Sequence, residues 1–132
     1  MHFRAYQARE GMTGAVHTHS PIATAFGICN QSFEPINTDA VFLADTQTVP
    51  WFMPGTSELA EAVGEALEKS RGAIMQNHGL MAVGKDLRKA ATRAMLIEET
   101  AKLQLYMQQF GGTVTYLPDE WVKRLEGVAD FM

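Results

Sequence analysis

The stretch Ala15-Val16-His17-Thr18-His19-Ser20 places two histidines at the end of an apolar run. Side chains alternate along a β-strand, so His17 and His19 are predicted to project from the same face. A second stretch, Met75-Gln76-Asn77-His78-Gly79-Leu80, puts His78 between another apolar run and a glycine. Neutral imidazoles that converge from rigid elements are typical ligands of a metal ion that keeps an open coordination position. The two stretches together predict a three-histidine metal site at strand ends.

A simpler interpretation of the same histidines stays open beside this one. A His-x-His pair on a strand is commonly made of surface or hydrogen-bonded side chains rather than metal ligands, and short motifs give false positives. Spacing alone does not decide between the two interpretations of His17, His19 and His78.

The composition favours one ordinary globular domain that spans residues 1–132. The chain is 46% hydrophobic and 20% charged, which is typical of a folded domain with a core. The formal net charge is -4, and no basic patch is predicted from the sequence. These features argue against nucleic acid or an anionic membrane surface as a partner.

The sequence also favours a cytoplasmic location. No apolar run reaches the roughly 20 residues that cross a bilayer, and the first residues lack the long apolar segment of a signal peptide. The one cysteine, Cys29, suits a reducing compartment and is expected to be a small buried residue on a helix.

The hydrophobic periodicity predicts alternating helices and strands. Apolar residues recur at helical spacing after Ser20, Thr56 and Asp86, which are residue types that commonly precede helices. The predicted helices cover residues 3–9, 21–30, 57–71, 87–110 and a segment from 118. The predicted strands cover residues 15–17, 40–43, 49–52, 73–75 and 80–83. Because short turns join several strands, we expect an α/β layered domain with a mixed or mostly antiparallel central sheet flanked by helices.

The two histidine stretches and their surroundings resemble the class II aldolase/adducin family. The motifs are AVHTHS at residues 15–20 and MQNHGLMAVG at residues 75–84, followed by a long helix. The resemblance runs along nearly the whole chain and includes Val49-Pro50 and Pro54-Gly55-Thr56. It implies the family's α/β fold and a homo-oligomer, a tetramer with active sites between subunits.

By this resemblance, His17, His19 and His78 would bind a zinc ion, or another divalent metal such as manganese. The ion would act as a Lewis acid and stabilise the enediolate that forms when a carbon–carbon bond breaks. The implied function is a metal-dependent lyase of the class II aldolase type, with a small hydroxy-carbonyl compound such as a sugar phosphate as substrate. The alternatives are a decarboxylase of a small hydroxy acid, a sugar-phosphate epimerase, and a non-catalytic, adducin-like assembly domain.

Several functional residues of the family have no counterpart in these 132 residues. By the resemblance, the catalytic glutamate and the phosphate-binding loops would fall upstream of Met1, and the catalytic tyrosine aligns near Thr38. The first predicted helix, Phe3–Arg9, has no capping residue before it, which also indicates a truncated N-terminus. No catalytic residue is therefore assigned, and whether these 132 residues are active by themselves stays open. The sequence does not identify the groups that orient the histidine rings.

The acidic residues that could replace the missing base are expected to be solvated loop carboxylates, because acidic side chains are mostly exposed. They are Glu10, Glu34, Asp39 and Asp45. Glu98 and Glu99 lie on the long predicted helix, where an outward ion-pairing role is expected, with an inward position of one of them as the alternative. Trp51 and Phe52 are expected to pack in the core, with a pocket lining or a subunit contact as the alternative.

Overall fold

The computed structural model describes residues 1–128, and its helices and strands alternate along the chain. The strands are β1 (Gly14–Thr18), β2 (Gln47–Val49), β3 (Gly72–Met75) and β4 (Gly79–Gly84). The helices are α1 (His2–Ala8), α2 (Pro21–Ile28), α3 (Thr38–Phe42), α4 (Ser57–Lys69), α5 (Leu87–Phe110) and α6 (Asp119–Glu126). The last four residues of the predicted domain, 129–132, lie outside the described residues. Within residues 1–128, no helix has the length and apolar character that a membrane span requires.

In the described chain, four strands form one mixed sheet in the order β1-β4-β3-β2. β4 is antiparallel to both β1 and β3, whereas β2 pairs in parallel with β3. Only Gln76, Asn77 and His78 separate β3 from β4. The end of β3 and the start of β4 therefore both lie next to the third predicted histidine.

Helices cover both faces of the sheet, which is why β4 is buried at every position. Met81 and Val83 belong to the core layer that α1 and α4 complete, whereas Leu80 and Ala82 belong to the layer that α2 and α5 complete. Alternate residues of a strand lie on opposite faces, so a strand covered on both sides has a continuous apolar sequence. This arrangement confirms the predicted α/β domain with a mixed sheet flanked by helices.

Residues 40–43 were predicted as a strand, but residues 38–42 form helix α3. The Asn37 side chain accepts a hydrogen bond of 2.8 Å from the Ala40 amide and so caps the helix. All four residues from Ala40 to Leu43 are buried. A short apolar run that is buried on all sides does not distinguish a strand from a helical turn, and the prediction from periodicity is wrong here.

The predicted strand at residues 49–52 lies earlier in the chain. β2 ends at Val49, because Pro50 has no amide hydrogen to donate to a neighbouring strand. Trp51 was expected in the core but is 52% exposed, so that prediction is wrong. Phe52 packs against the core layer of α1 and α4, as expected.

A residue of α5 caps the N-terminus of α2. Ser20 precedes α2, as predicted, but its side chain makes no capping hydrogen bond. The Glu98 carboxylate accepts hydrogen bonds from the amides of Ile22, at 3.1 Å, and Ala23, at 2.7 Å. A carboxylate at this position satisfies free amides and the positive end of the helix dipole. The outward role expected for Glu98 is therefore wrong, and Glu98 joins α2 to α5.

Replacing Glu98 by alanine is expected to lower the free energy of unfolding by about 1–2 kcal/mol, because two amides at the start of α2 lose their acceptor. Glu99→Ala is the matched control. Glu99 is exposed, and its Oε2 lies 4.0 Å from Nζ of Lys102, which is the outward ion pair expected of this residue. Ion pairs of this kind contribute about 0.2–0.5 kcal/mol to helix stability. Urea denaturation followed by circular dichroism measures both variants. Equal destabilisation by the two substitutions would contradict the capping role.

Candidate metal centre

The three predicted histidines come together at one end of the sheet. β1 ends at Thr18, so His17 is the penultimate residue of this strand and His19 is the first residue after it. His78 lies in the turn between β3 and β4. The ring centroids are 5.0, 5.1 and 5.2 Å apart, and one nitrogen of each ring lies within 4.8 Å of the others. Nitrogen ligands of a tetrahedral zinc ion are about 3.3 Å apart. Modest side-chain rotations would therefore close this histidine cluster around an ion.

The backbone of β4 orients the first of these rings. In the antiparallel register His17 lies opposite Met81, and Thr18 lies opposite Leu80. Nδ1 of His17 is 2.9 Å from the Leu80 carbonyl oxygen. Because a carbonyl oxygen only accepts, Nδ1 carries the hydrogen, and Nε2 keeps its lone pair for a ligand. The Leu80 carbonyl is thus the orienting group for His17 that the sequence did not identify.

Asn77 and Gly79 shape the turn that holds His78. Asn77 has φ 58°, in the left-handed region that asparagine tolerates better than most residues. A Cβ atom at Gly79 would overlap the Thr18 carbonyl oxygen and lie 3.1 Å from Cδ2 of His19. Glycine therefore allows the turn to pack directly against the end of β1, and this close approach brings His78 to the other two rings.

The electrostatic surroundings of His78 favour metal binding. Burial lowers the pKa of His78, and the neighbouring His17 and His19 lower it further. The uncharged imidazole, which is the form that binds a metal, is thereby favoured. Nδ1 of His78 is buried and has no hydrogen-bond partner among the described residues. A buried polar atom without a partner costs free energy, so the fold leaves this nitrogen available to a ligand.

Two of the carboxylates considered as replacements for the catalytic base are not solvated loop residues. Asp45 is half-buried and accepts hydrogen bonds from the Arg93 side chain and, at 3.1 Å, from the Arg71 amide. Asp39 is half-buried in the first turn of α3. The prediction is wrong for both, because a buried guanidinium holds the Asp45 carboxylate in place and Asp39 lies in a helix rather than a loop.

The other two carboxylates, Glu10 and Glu34, are exposed as predicted. Glu34 accepts a hydrogen bond of 2.8 Å from the Tyr116 hydroxyl, and this bond raises the pKa of Tyr116. No carboxylate or thiolate of the described residues joins the histidine cluster. A catalytic base is therefore not assigned within residues 1–128.

Cys29 is exposed at the end of α2, so the expectation of a buried cysteine is wrong.

A cavity of about 360 Å³ lies away from the histidine cluster and is called the basic cavity below. Six cationic side chains line it: Arg9, Arg71, Lys85, Arg88, Lys89 and Arg93. The sequence predicted no basic patch, and this expectation is wrong. The six residues come from three separate parts of the chain and meet only in the fold, so no local run of charge revealed them.

Proteins related to this chain are known. The sequence model of the class II aldolase and adducin N-terminal domain matches residues 1–105. The L-fuculose phosphate aldolase of Methanococcus maripaludis is 36% identical over 84% of this chain and 61% of its own length. The 3-oxo-tetronate 4-phosphate decarboxylase of Haemophilus influenzae is 31% identical over 95% of this chain and 61% of its own length. A solved structure of L-fuculose 1-phosphate aldolase, 25% identical, has a TM-score of 0.84 and is matched over 98% of this chain and 61% of that structure.

The chain belongs to the class II aldolase/adducin family, because the family pattern extends over most of its length, from residue 1 to residue 105. It spans 61% of the length of the two curated relatives named above. The match to the aldolase structure confirms the family's fold. The histidine cluster, which is consistent with a metal site, thus lies in a fold shared with an aldolase.

Alanine at His17, His19 or His78 is expected to weaken zinc binding at least tenfold, because each change removes one of three imidazole ligands. His2→Ala is the control, since His2 is the fourth histidine of the sequence and is exposed on α1. Titration against a chromogenic chelator measures the affinity and the zinc content. The unchanged chain and His2→Ala should each bind one zinc ion per chain. Unaltered affinity in all three cluster variants would show that the ion binds elsewhere.

Gly79→Ala is expected to weaken zinc binding at least tenfold, because the added methyl group would displace Thr18 and His19. Gly84→Ala, at the other end of β4, is the matched control, since its Cβ would lie 2.6 Å from the Ala90 amide nitrogen. Both variants should have a lower thermal midpoint. Only Gly79→Ala should change the zinc affinity of the folded protein, and equal affinities in the two variants would refute this role of Gly79.

Proposed function

We propose that this chain carries the metal centre of a zinc-dependent lyase of the class II aldolase type, with His17, His19 and His78 as the metal ligands. The observation that carries the proposal is the histidine cluster, in which three rings from two strand ends each place one nitrogen within 4.8 Å of the others. Membership of the class II aldolase/adducin family supports the same assignment. Imidazoles suit several divalent metals, so manganese is the alternative to zinc.

The residues of the cluster have separate tasks in this proposal. The Leu80 carbonyl holds His17 in the tautomer that presents Nε2, and the lowered pKa of His78 favours its uncharged ring. Three protein ligands leave room for oxygen atoms of a substrate. The metal, when bound, supplies Lewis acidity that stabilises negative charge on an oxygen beside the bond that breaks.

The proposed substrate is a small hydroxy-carbonyl compound that carries a phosphate group, such as a sugar phosphate. The names of the two relatives support this class, since one is an L-fuculose phosphate aldolase and the other a 3-oxo-tetronate 4-phosphate decarboxylase. The proton acceptor of the reaction is not assigned to a residue, because no carboxylate of residues 1–128 joins the cluster. On the family resemblance we also propose a homotetramer that acts in the cytoplasm.

Decarboxylation of a small phosphorylated hydroxy acid is the second candidate reaction. The observation that favours it is the match to the Haemophilus influenzae decarboxylase, which extends over 95% of this chain. Both reactions place negative charge on an oxygen beside the bond that breaks, so the same three histidines would serve either one. The histidine cluster by itself does not separate the two.

Protein loaded with one zinc ion per chain is expected to cleave L-fuculose 1-phosphate, and removal of the metal with EDTA is expected to abolish this activity. A parallel incubation with 3-oxo-tetronate 4-phosphate, in which the release of carbon dioxide is measured, tests the second candidate. His17→Ala should lower the rate at least about a hundredfold, because Lewis-acid stabilisation amounts to several kcal/mol. His2→Ala should retain the rate of the unchanged chain.

The outcomes of these assays separate the functions. Zinc-dependent turnover of the sugar phosphate supports the aldolase, and zinc-dependent release of carbon dioxide supports the decarboxylase. Bound zinc without turnover of either compound would contradict a lyase role for this chain and would favour an epimerase or a non-catalytic assembly domain.

A further inference from the structure

The basic cavity lies at the end of β4 that is remote from the histidine cluster. Gly84, the last residue of β4, lines the cavity, whereas Gly79, the first residue, packs against His19. A strand rises about 3.3 Å per residue, so the two ends of β4 are about 16 Å apart. The cavity is therefore separate from the candidate metal centre.

The charge of the cavity wall is opposite to the charge of the whole chain. The sequence has 11 lysines and arginines and a net charge of -4, yet six of these cations line the cavity. In the part of the chain that the structure describes, no aspartate or glutamate lines it. Within the same residues, Arg9, Lys85, Arg88 and Lys89 form no ion pair with a carboxylate. Four of the six cations thus carry positive charge that no ion pair within residues 1–128 neutralises.

Arg93 is the most deeply buried of these cations, with 8% of its surface exposed. Its Nη2 donates to the Phe42 carbonyl, at 3.1 Å, and to Asp45, but its Nε is buried without a partner in residues 1–128. Burial lowers the pKa of Arg93 to about 10; Asp45 acts in the opposite direction, and the nearby Arg71 and Arg9 lower it further. The Arg93 guanidinium thus interacts with the like charges of Arg71 and Arg9 as well as with its partner Asp45.

The remaining wall of the cavity suits an organic group. Met12, Phe42 and Leu96 are among the apolar side chains that line it. A volume of about 360 Å³ lies within the range of small-molecule sites, about 300–1,000 Å³.

We infer that the basic cavity binds a small organic molecule that carries a phosphate group. Arginine and lysine side chains are the strong donors to phosphate oxygens, and an anion among Arg9, Arg88 and Lys89 would relieve the repulsion between their like charges. Met12 and Leu96 provide apolar contacts for the rest of the molecule. This site does not depend on the proposed lyase function, because it lies at the opposite end of β4 and uses none of the histidines.

Isothermal titration calorimetry with phenyl phosphate, at low ionic strength and in metal-free protein, tests the inference. The double variant Arg88→Gln/Lys89→Gln is expected to bind phenyl phosphate at least about tenfold more weakly, because two charged donors to the phosphate oxygens are lost. Both residues are exposed, so the fold should tolerate the change. The matched control, Lys102→Gln/Lys123→Gln, removes the same charge outside the cavity lining and should change the affinity less than twofold.

Two further measurements sharpen the test. Inorganic phosphate should bind more weakly than phenyl phosphate, since it makes no apolar contacts, and equal affinity would overturn the inference of an organic ligand. His17→Ala should bind phenyl phosphate as the unchanged chain does, and a loss confined to this variant would place the anion at the histidine cluster instead. Absence of binding, or an equal loss in the control double variant, would also overturn the inference.

Discussion

The antiparallel pairing of β1 with β4 is the constraint on which the candidate site depends. This register sets Thr18 opposite Leu80, so the two strands end together where the histidines lie. It also brings the Leu80 carbonyl within 2.9 Å of Nδ1 of His17. A shift of the register by one residue would turn His17 to the other face of the sheet and separate it from His78.

The same strand accounts for the position of both candidate sites. β4 is buried on its two faces, so its side chains are used for packing, and only its ends are available for binding. A glycine occupies each end, and each allows a close approach of backbone or side chain that a Cβ atom would block. Because Gly79 has no side chain, the end of β1 packs against it beside the histidine cluster. Gly84 likewise allows the start of α5 to pack beside the basic cavity.

Local sequence patterns predicted the features that depend only on residues close together in the sequence. The histidine stretches, the fold class and the caps at Thr56 and Asp86 follow from such patterns, and both cap hydrogen bonds are present. Contacts between distant residues could not be predicted in this way. Glu98 reaches α2 from 75 residues further along the chain, and the pair of Arg93 with Asp45 joins residues 48 apart. The basic cavity was missed for the same reason, because its cations converge only through the fold.

X-ray absorption spectroscopy of the zinc-loaded chain tests the central claim, that three histidines of two strand ends bind one metal ion. The account predicts a first shell in which three imidazole nitrogens lie about 2.0–2.1 Å from zinc, with the remaining positions filled by oxygen. The His78→Ala variant should show one imidazole fewer. A shell with no more than one imidazole in the unchanged chain, or an identical spectrum in the variant, would contradict the claim.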